Sequence, residues 1–229
     1  MNTSNLVSII VVVKNGERYL KAALDSIQQQ NYSNYETIVI DGASTDRTAE
    51  IAQSYLGMIY QQQDGKGLAQ ARNTGISVAQ GELITFLDHD DYWEVNSLSQ
   101  RVNSLLLEPQ IQGTVGYLEK FFESDYKTTE SLKDEEAFKP IIGYTPGTLL
   151  ARRTLFEQVG GFNSEFKIGC DSEWFARVQD QEILLKVLPI LVLYKRLHNN
   201  NLSSQKEVYR QEIFILLQQS LKRRQAYKR

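Results

Sequence analysis

The segment Leu6-Val7-Ser8-Ile9-Ile10-Val11-Val12-Val13 is almost wholly apolar and rich in β-branched residues, with no polar face. A strand of that composition has to be covered on both sides, as in a parallel sheet sandwiched between helices. Lys14-Asn15-Gly16-Glu17 breaks the run, and Leu20, Ala23, Leu24 and Ile27 then recur at helical spacing. Glu36 to Ile40 repeats the strand pattern and ends at Asp41, before the turn Gly42-Ala43-Ser44-Thr45-Asp46 and a helix marked by Ala49, Ala52, Tyr55 and Leu56. Met58-Ile59-Tyr60 is a shorter third strand. The turn Asp64-Gly65-Lys66-Gly67 then leads into a helix carrying Leu68, Ala71, Ile76 and Ala79, closed by Gly81. Leu83 to Leu87 is the fourth strand. Such alternation predicts a doubly wound, mostly parallel α/β sheet flanked by helices, with right-handed crossovers.

The fourth strand runs into Asp88-His89-Asp90-Asp91, three carboxylates within four positions. Ligands bind at the carboxyl ends of strands in open α/β sheets. Oxygen donors on a short turn suit a hard divalent cation, Mn²⁺ or Mg²⁺, and such ions keep part of their coordination for phosphate oxygens. A diphosphate-bearing substrate follows. One acid could instead cap the next helix, and Asp91 is the candidate for that role, but a cap accounts for one aspartate rather than three.

Beyond the cluster, Asn96 to Leu107 reads as a helix stopped near Pro109 and Gly113 to Phe122 as a strand. Glu123 to Glu136 is polar and aperiodic, a loop or insertion. Thr148 to Leu150 returns to strand character, Thr154 to Val159 is a short helix, and Ile183 to Tyr194, interrupted by Pro189, is one or two strands at an edge or bulge. A terminal helix from Ser204 carries Ile213, Leu216, Leu217 and Leu221 on one side and ends in Lys222, Arg223, Arg224, Lys228 and Arg229. The organisation expected is one domain in two parts, 1–110 and 111–203, followed by the terminal helix over 204–229. A net charge of −3 over 229 residues provides no basic field for nucleic acid. One cysteine, Cys170, allows no internal disulfide, and with no bilayer-length apolar run the expectation is a cytoplasmic protein.

Four stretches in order resemble the nucleotide-sugar half of family 2 glycosyltransferases of the GT-A fold. They are the first strand with Asn15, Asp41 with Ser44-Thr45-Asp46, Ala71-Arg72-Asn73, and Gly81-Glu82 leading into Phe86-Leu87-Asp88-His89-Asp90-Asp91. Gly160-Gly161-Phe162, Cys170-Asp171 with Arg177, and Arg196-Leu197-His198 resemble the acceptor-side elements. The resemblance implies a smaller mixed acceptor-side region beside the parallel sheet. It also implies an inverting, metal-dependent transfer of a sugar from a nucleoside diphosphate, UDP in our reading, to an acceptor hydroxyl. The acceptor, whether glycan, lipid-linked or small molecule, is not specified.

The same resemblance distributes roles. Val13, Asn15, Glu17, Asp41, Arg72 and Asp88 fall at donor-binding positions, Asp88 toward the ribose. Asp90 and His198 fall at the metal, and Asp171 at the base that deprotonates the acceptor. Read residue by residue, simpler roles stand beside these. Asp41 also suits the start of a turn, Glu17 an exposed helix start, Lys66 the surface and Asp171 a helix N-cap. His198 equally suits a surface loop, and Glu173 is a rival base. Trp93, Phe162, Phe166 and Trp174 suit either a sugar face or the core. The pattern departs from the family at Asp41-Gly42, where two acids often occur, and at Cys170, where a Glu precedes the aspartate. The second departure keeps open a catalytically silent nucleotide-sugar-binding scaffold. A nucleotidyltransferase would need a longer, Gly-rich first loop. The terminal helix either packs on its own domain or touches an anionic membrane surface through its basic end.

Overall fold

The computed structural model describes residues 5–63, 65–123, 139–199, 201–202 and 205–227. The strands are β1 (Val7–Val13), β2 (Tyr35–Asp41), β3 (Ile59–Gln62), β4 (Leu83–Asp88), β5 (Tyr92–Trp93), β6 (Gly113–Phe122), β7 (Ile141–Ile142), β8 (Leu150–Arg152) and β9 (Leu185–Leu197). The helices are α1 (Leu20–Gln28), α2 (Thr48–Gln53), α3 (Leu68–Val78), α4 (Ser97–Leu107), α5 (Arg153–Val159), α6 (Cys170–Asp180) and α7 (Lys206–Tyr227).

One sheet runs in the order β3-β2-β1-β4-β8-β6-β9-β5, with β7 on β6. From β3 to β4 every pairing is parallel, while β8 runs antiparallel to both β4 and β6, and β6 pairs parallel with β9. The sheet is therefore Rossmann-like on one side and mixed on the other, the GT-A arrangement. All seven residues of β1 are buried because they feed two cores in turn. Ile10 and Val12 face the layer of α3, α5 and α6, whereas Val7, Ile9, Val11 and Val13 face α1 and α4. Each such aliphatic side chain contributes about 1.5–3 kcal/mol by leaving water.

After β1 the chain moves outward to β2 and β3, then crosses back to place β4 on β1's other flank. A crevice opens where the order reverses, at the strands' carboxyl ends. Register puts Val13 beside Asp41 and Val12 beside Asp88 at that edge.

Several expectations shift. No helix follows the acidic cluster directly: β5 intervenes and pairs with β9, joining the cluster to the far half of the chain. Of the span 183–194, residues 185–194 fall in one strand, β9, where the two-residue step from Val115 to Tyr117 of β6 is matched by a four-residue step from Val187 to Leu191, so Pro189 sits in a bulge. Of the loop expected at 123–136, only Glu123 is described, and it extends the β6–β9 ladder with its N–H on the Leu197 carbonyl at 3.2 Å. In α7 the buried positions are Glu212, Leu216 and Ser220, while Phe214, Leu217 and Leu221 are exposed. The inward face is thus partly polar, and Leu217 and Leu221 do not share the side of Leu216. Among the described residues no helix is long and apolar enough to cross a membrane.

Candidate active site

The loop after β1 is shaped by tight packing. A side chain at Gly16 would bring its Cβ within 2.7 Å of the His89 ring, so glycine lets this loop lie against the acidic turn. Asn15, at φ 51°, ties the loop to the turn after β2. Its N–H donates to Ser44 Oγ at 2.8 Å and its Oδ1 accepts the Thr45 N–H at 2.9 Å. Glu17 accepts the Arg47 N–H at 3.2 Å, and the Val13 carbonyl accepts the Gly42 N–H at 2.8 Å. Asp41 is fully buried, with Oδ1 accepting from Ser44 N and Oγ and Oδ2 accepting from the Tyr60 hydroxyl at 2.6 Å. The turn-forming role of Asp41 is therefore present in the geometry. Lys66 is exposed.

At the end of β4 the three acids diverge. Asp88 Oδ1 accepts from Arg72 Nη2 at 3.0 Å. Asp90 Oδ2 lies 2.9 Å from His198 Nε2 and accepts from Asn201 Nδ2 at 3.2 Å. Burial works to raise the Asp90 pKa, but the bond to His198 and the charges of His89 and Lys195 outweigh it and hold it at about 2. Asp91 does not cap α4, which is preceded instead by Asn96 in a left-handed conformation. Its carboxylate turns inward to accept the Arg196 N–H at 2.8 Å and approaches Lys195 Nζ at 3.4 Å. Its pKa is pushed up to about 7, first by burial, with the charges of Asp90 and Asp88 adding to the rise and Lys195 opposing it. β9 passing beside the cluster supplies a better-matched partner than the distant helix end. The surface reading of His198 gives way in the same manner, since its side chain is only 10% exposed and its ring lies 5.0 Å from that of Tyr19.

Arg72, on α3, connects the two halves. It is completely buried, with Nη2 on Asp88, Nη1 on Asp171 and its guanidinium 5.3 Å from the centre of the Phe162 ring. Burial would lower its pKa, but the two carboxylates reverse that and keep it firmly charged. It therefore faces acids rather than the open crevice where a diphosphate would first be met.

Asp171 lies in the first turn of α6, and the N-cap is Gly169, so the capping reading of Asp171 fails by position. Burial raises its pKa against the pull of Arg72, with Asp88 adding to the rise. Hydrogen bonds from Arg72 and the Cys170 thiol both end on Oδ1; among the described residues none ends on Oδ2. Glu173 is no longer a rival base, because its two oxygens hold Arg177 Nε at 3.0 Å and its side chain is 2% exposed. Burial drives the Cys170 thiol pKa upward, as expected of an inert thiol. Trp93 donates to the Gly147 carbonyl at 2.7 Å beneath Arg101, and Phe162, Phe166 and Trp174 lie in the α3–α6 core, so all four aromatics pack rather than face a sugar.

Among the described residues no group of three or more His, Cys, Asp and Glu side chains is assembled for a metal. Asp90 with His198 is a two-donor set, carboxylate plus imidazole, and that chemistry fits Mn²⁺ with positions left for phosphate and water. Sequence reasoning gave no role to Lys195, Tyr60 and Asn201, and named Arg196 only as part of Arg196-Leu197-His198. The polar ending Tyr194-Lys195-Arg196 on an otherwise apolar strand was a signal for Lys195 and Arg196.

A model of the family described as Glycosyl transferase family 2 matches residues 8–163. The chain belongs to glycosyltransferase family 2. An uncharacterized glycosyltransferase of Rickettsia typhi is 32% identical over 202 residues, covering 80% of this chain and 64% of that protein. Two solved structures share the fold. TarS 1-349 of S. aureus in complex with UDP-GlcNAc has a TM-score of 0.69 at 21% identity, covering 87% of this chain and 60% of that one. Mannosyltransferase PcManGT from Pyrobaculum calidifontis, in complex with GDP-Man and Mn²⁺, has a TM-score of 0.68 at 18% identity, covering 94% and 64%. This family 2 chain thus spans less than two thirds of each of the three.

Proposed function

We propose that this chain moves a sugar from a nucleoside diphosphate, UDP in our reading, to an acceptor hydroxyl with inversion and with Mn²⁺ or Mg²⁺ as cofactor. The carrying observation is the Arg72 bridge, which sets the acid at the end of β4 and the acid at the start of α6 on two nitrogens of one guanidinium. A donor acid and an acceptor base are thereby held at a fixed separation, as single displacement needs.

Asp171 is the base. Its Oδ2 takes the acceptor proton, the raised pKa makes it a stronger acceptor of that proton, and Arg72 keeps it ionised beforehand. Asp88, held by Arg72, orients the ribose side. Asp90 and His198 would hold the ion, whose charge would stabilise a diphosphate leaving group. Lys195 places fixed positive charge behind the cluster, and Asn15, with Ser44 and Thr45, fixes the β1 and β2 loops around the base of the nucleotide. The uridine assignment rests on Asp41, whose carboxylate would accept N3–H in addition to its turn contacts. The two structural neighbours, with UDP-GlcNAc and GDP-Man, bracket this choice.

The deciding experiment measures thermal stabilisation by UDP and GDP with Mn²⁺, then nucleoside diphosphate release from the corresponding sugars. Preference for UDP and measurable release are expected; stabilisation without release from any donor would favour the silent scaffold, the reading that Cys170 in place of Glu supports. Peripheral membrane contact belongs to the same proposal, through the exposed Phe214, Leu217 and Leu221 beside exposed Lys222. Co-sedimentation with anionic but not neutral vesicles is expected, and binding to neither, or equally to both, rejects it.

A further inference from the structure

The helix α7 follows all the site residues in sequence, yet one of its side chains reaches the segment that presents Asp171. Glu212 is buried and accepts three backbone N–H groups: Lys167 at 2.6 Å on Oε1, Ile168 at 3.1 Å and Gly169 at 2.7 Å on Oε2. These are consecutive donors leading into α6, and the last belongs to its N-cap. Gly169 has no side chain with which to cap the helix, and an added Cβ there would come within 3.2 Å of Glu212 Oε2. The glycine makes room for a carboxylate delivered from another helix. Successive N–H groups converging on one anion form a nest, and charge-assisted bonds of this kind are about twice as strong as neutral ones.

The rest of α7 is clamped at the opposite end of α6. Asp180 there accepts from Ser220 Oγ at 2.7 Å, Arg223 Nε at 2.9 Å and Arg224 Nε at 2.6 Å. Glu212, Leu216 and Ser220, each four residues from the next, form the inward stripe between the two clamps. α7 is therefore a splint along α6: Tyr209 Oη lies 3.0 Å from Ser172 Oγ and Arg223 Nη1 lies 3.5 Å from Glu173 Oε1, while Glu212 holds the backbone that leads into the helix.

We infer that Glu212 is a positioning residue for Asp171, holding 167–169 so that the first turn of α6 points the aspartate at the acceptor; the inference rests on Asp171 being the base. A small displacement of a catalytic group costs up to about a hundredfold in rate. In the full chain, Glu212→Gln keeps the size but turns an amide N–H toward backbone donors. Asp180→Asn loosens the other clamp and serves as the matched structural control.

The measurements are melting temperature and kcat and KM for nucleoside diphosphate release from UDP-glucose, UDP-GlcNAc and GDP-mannose with Mn²⁺. Both variants are expected to melt at lower temperature. Glu212→Gln should lose about ten- to a hundredfold in kcat with donor KM within about twofold, while Asp180→Asn keeps kcat within about twofold. If both lose kcat alike, or Glu212→Gln loses none while Asp171→Asn is inactive, Glu212 is merely structural and the inference is overturned with the base assignment intact. If wild type releases product from no donor, or Asp171→Asn retains full kcat, the base assignment itself fails and the inference falls with it. Should Glu212→Gln fold poorly, Gly169→Ala, which crowds the same carboxylate, is read by the same split.

Discussion

The two halves of the sheet solve the same problem, bringing acids to one edge, by different means. From β1 to β4 the chain relies on regularity: parallel register alone sets Asp41 and Asp88 on either side of β1's end. From β5 onward the strands are mixed in direction, β9 is bulged, and the contributions of Asp171, His198 and Lys195 depend on long-range contacts. Topology places Asp41 and Asp88, and ion pairing across the crevice places Asp171, His198 and Lys195. Substitutions should therefore cost more function where pairing alone fixes the geometry.

The largest effect is expected at Asp171. Asp171→Asn removes the proton acceptor while leaving the Arg72 contact sterically intact, and kcat should fall about 10²- to 10⁴-fold, with UDP–Mn²⁺ stabilisation retained. Parallel loss of nucleotide binding would break the comparison, because it would place this acid on the donor side.

Next comes the joint between the halves. Arg72→Met leaves Asp88 and Asp171 facing each other across an apolar gap, and loss of one partner from a buried ion pair costs about 3–5 kcal/mol. Urea unfolding is the measurement. A loss below about 1 kcal/mol would mean that the halves are held by sheet packing alone. Arg72→Lys restores the charge but not the two-pronged fork, so an intermediate loss is expected.

These contrasts also explain what was legible in the sequence. β1, β2 and β4 were readable because a strand buried on both faces has no polar position, and Asp88 and Asp90 stood out because a helix cap accounts for one acid rather than three. His198 and Asp171 were singled out only through resemblance; their local contexts, an Asn-rich loop and a helix start, have ordinary explanations. Asp91 was misassigned because its true partners, Lys195 and the Arg196 N–H, lie more than a hundred residues away. The inward stripe of α7 was hidden for a related reason. Hydrophobic spacing cannot reveal a buried Glu212 whose partners are backbone N–H groups of another loop.

The proposed metal pair straddles the halves, Asp90 just past the end of β4 and His198 just past the end of β9. His198→Ala should weaken apparent Mn²⁺ affinity about ten- to a hundredfold, read from Mn²⁺ titrations of UDP-induced stabilisation. Unchanged affinity would assign the imidazole to the Asp90 hydrogen bond alone and shift the ion toward Asp88.

The smallest effect tests whether the acceptor-side half carries its own acid-sensitive clamp. Burial opposes ionisation of Asp180, but hydrogen bonds from Arg224, Ser220 and Arg223 hold its pKa below the ordinary carboxylate value. A carboxylate with a depressed folded pKa stabilises the fold at pH above the unfolded value of about 3.9, and that contribution disappears as pH falls through the lower folded value. Asp180→Asn should therefore cost about 1–3 kcal/mol at neutral pH and progressively less below about pH 4, where the wild type loses the same clamp. Chemical unfolding of both proteins from pH 7 to pH 3 measures the gap. A gap that stays constant with pH would show that the α6–α7 clamp is held by shape rather than charge, and the acceptor-side half would then resemble the donor-side half in how its geometry is fixed.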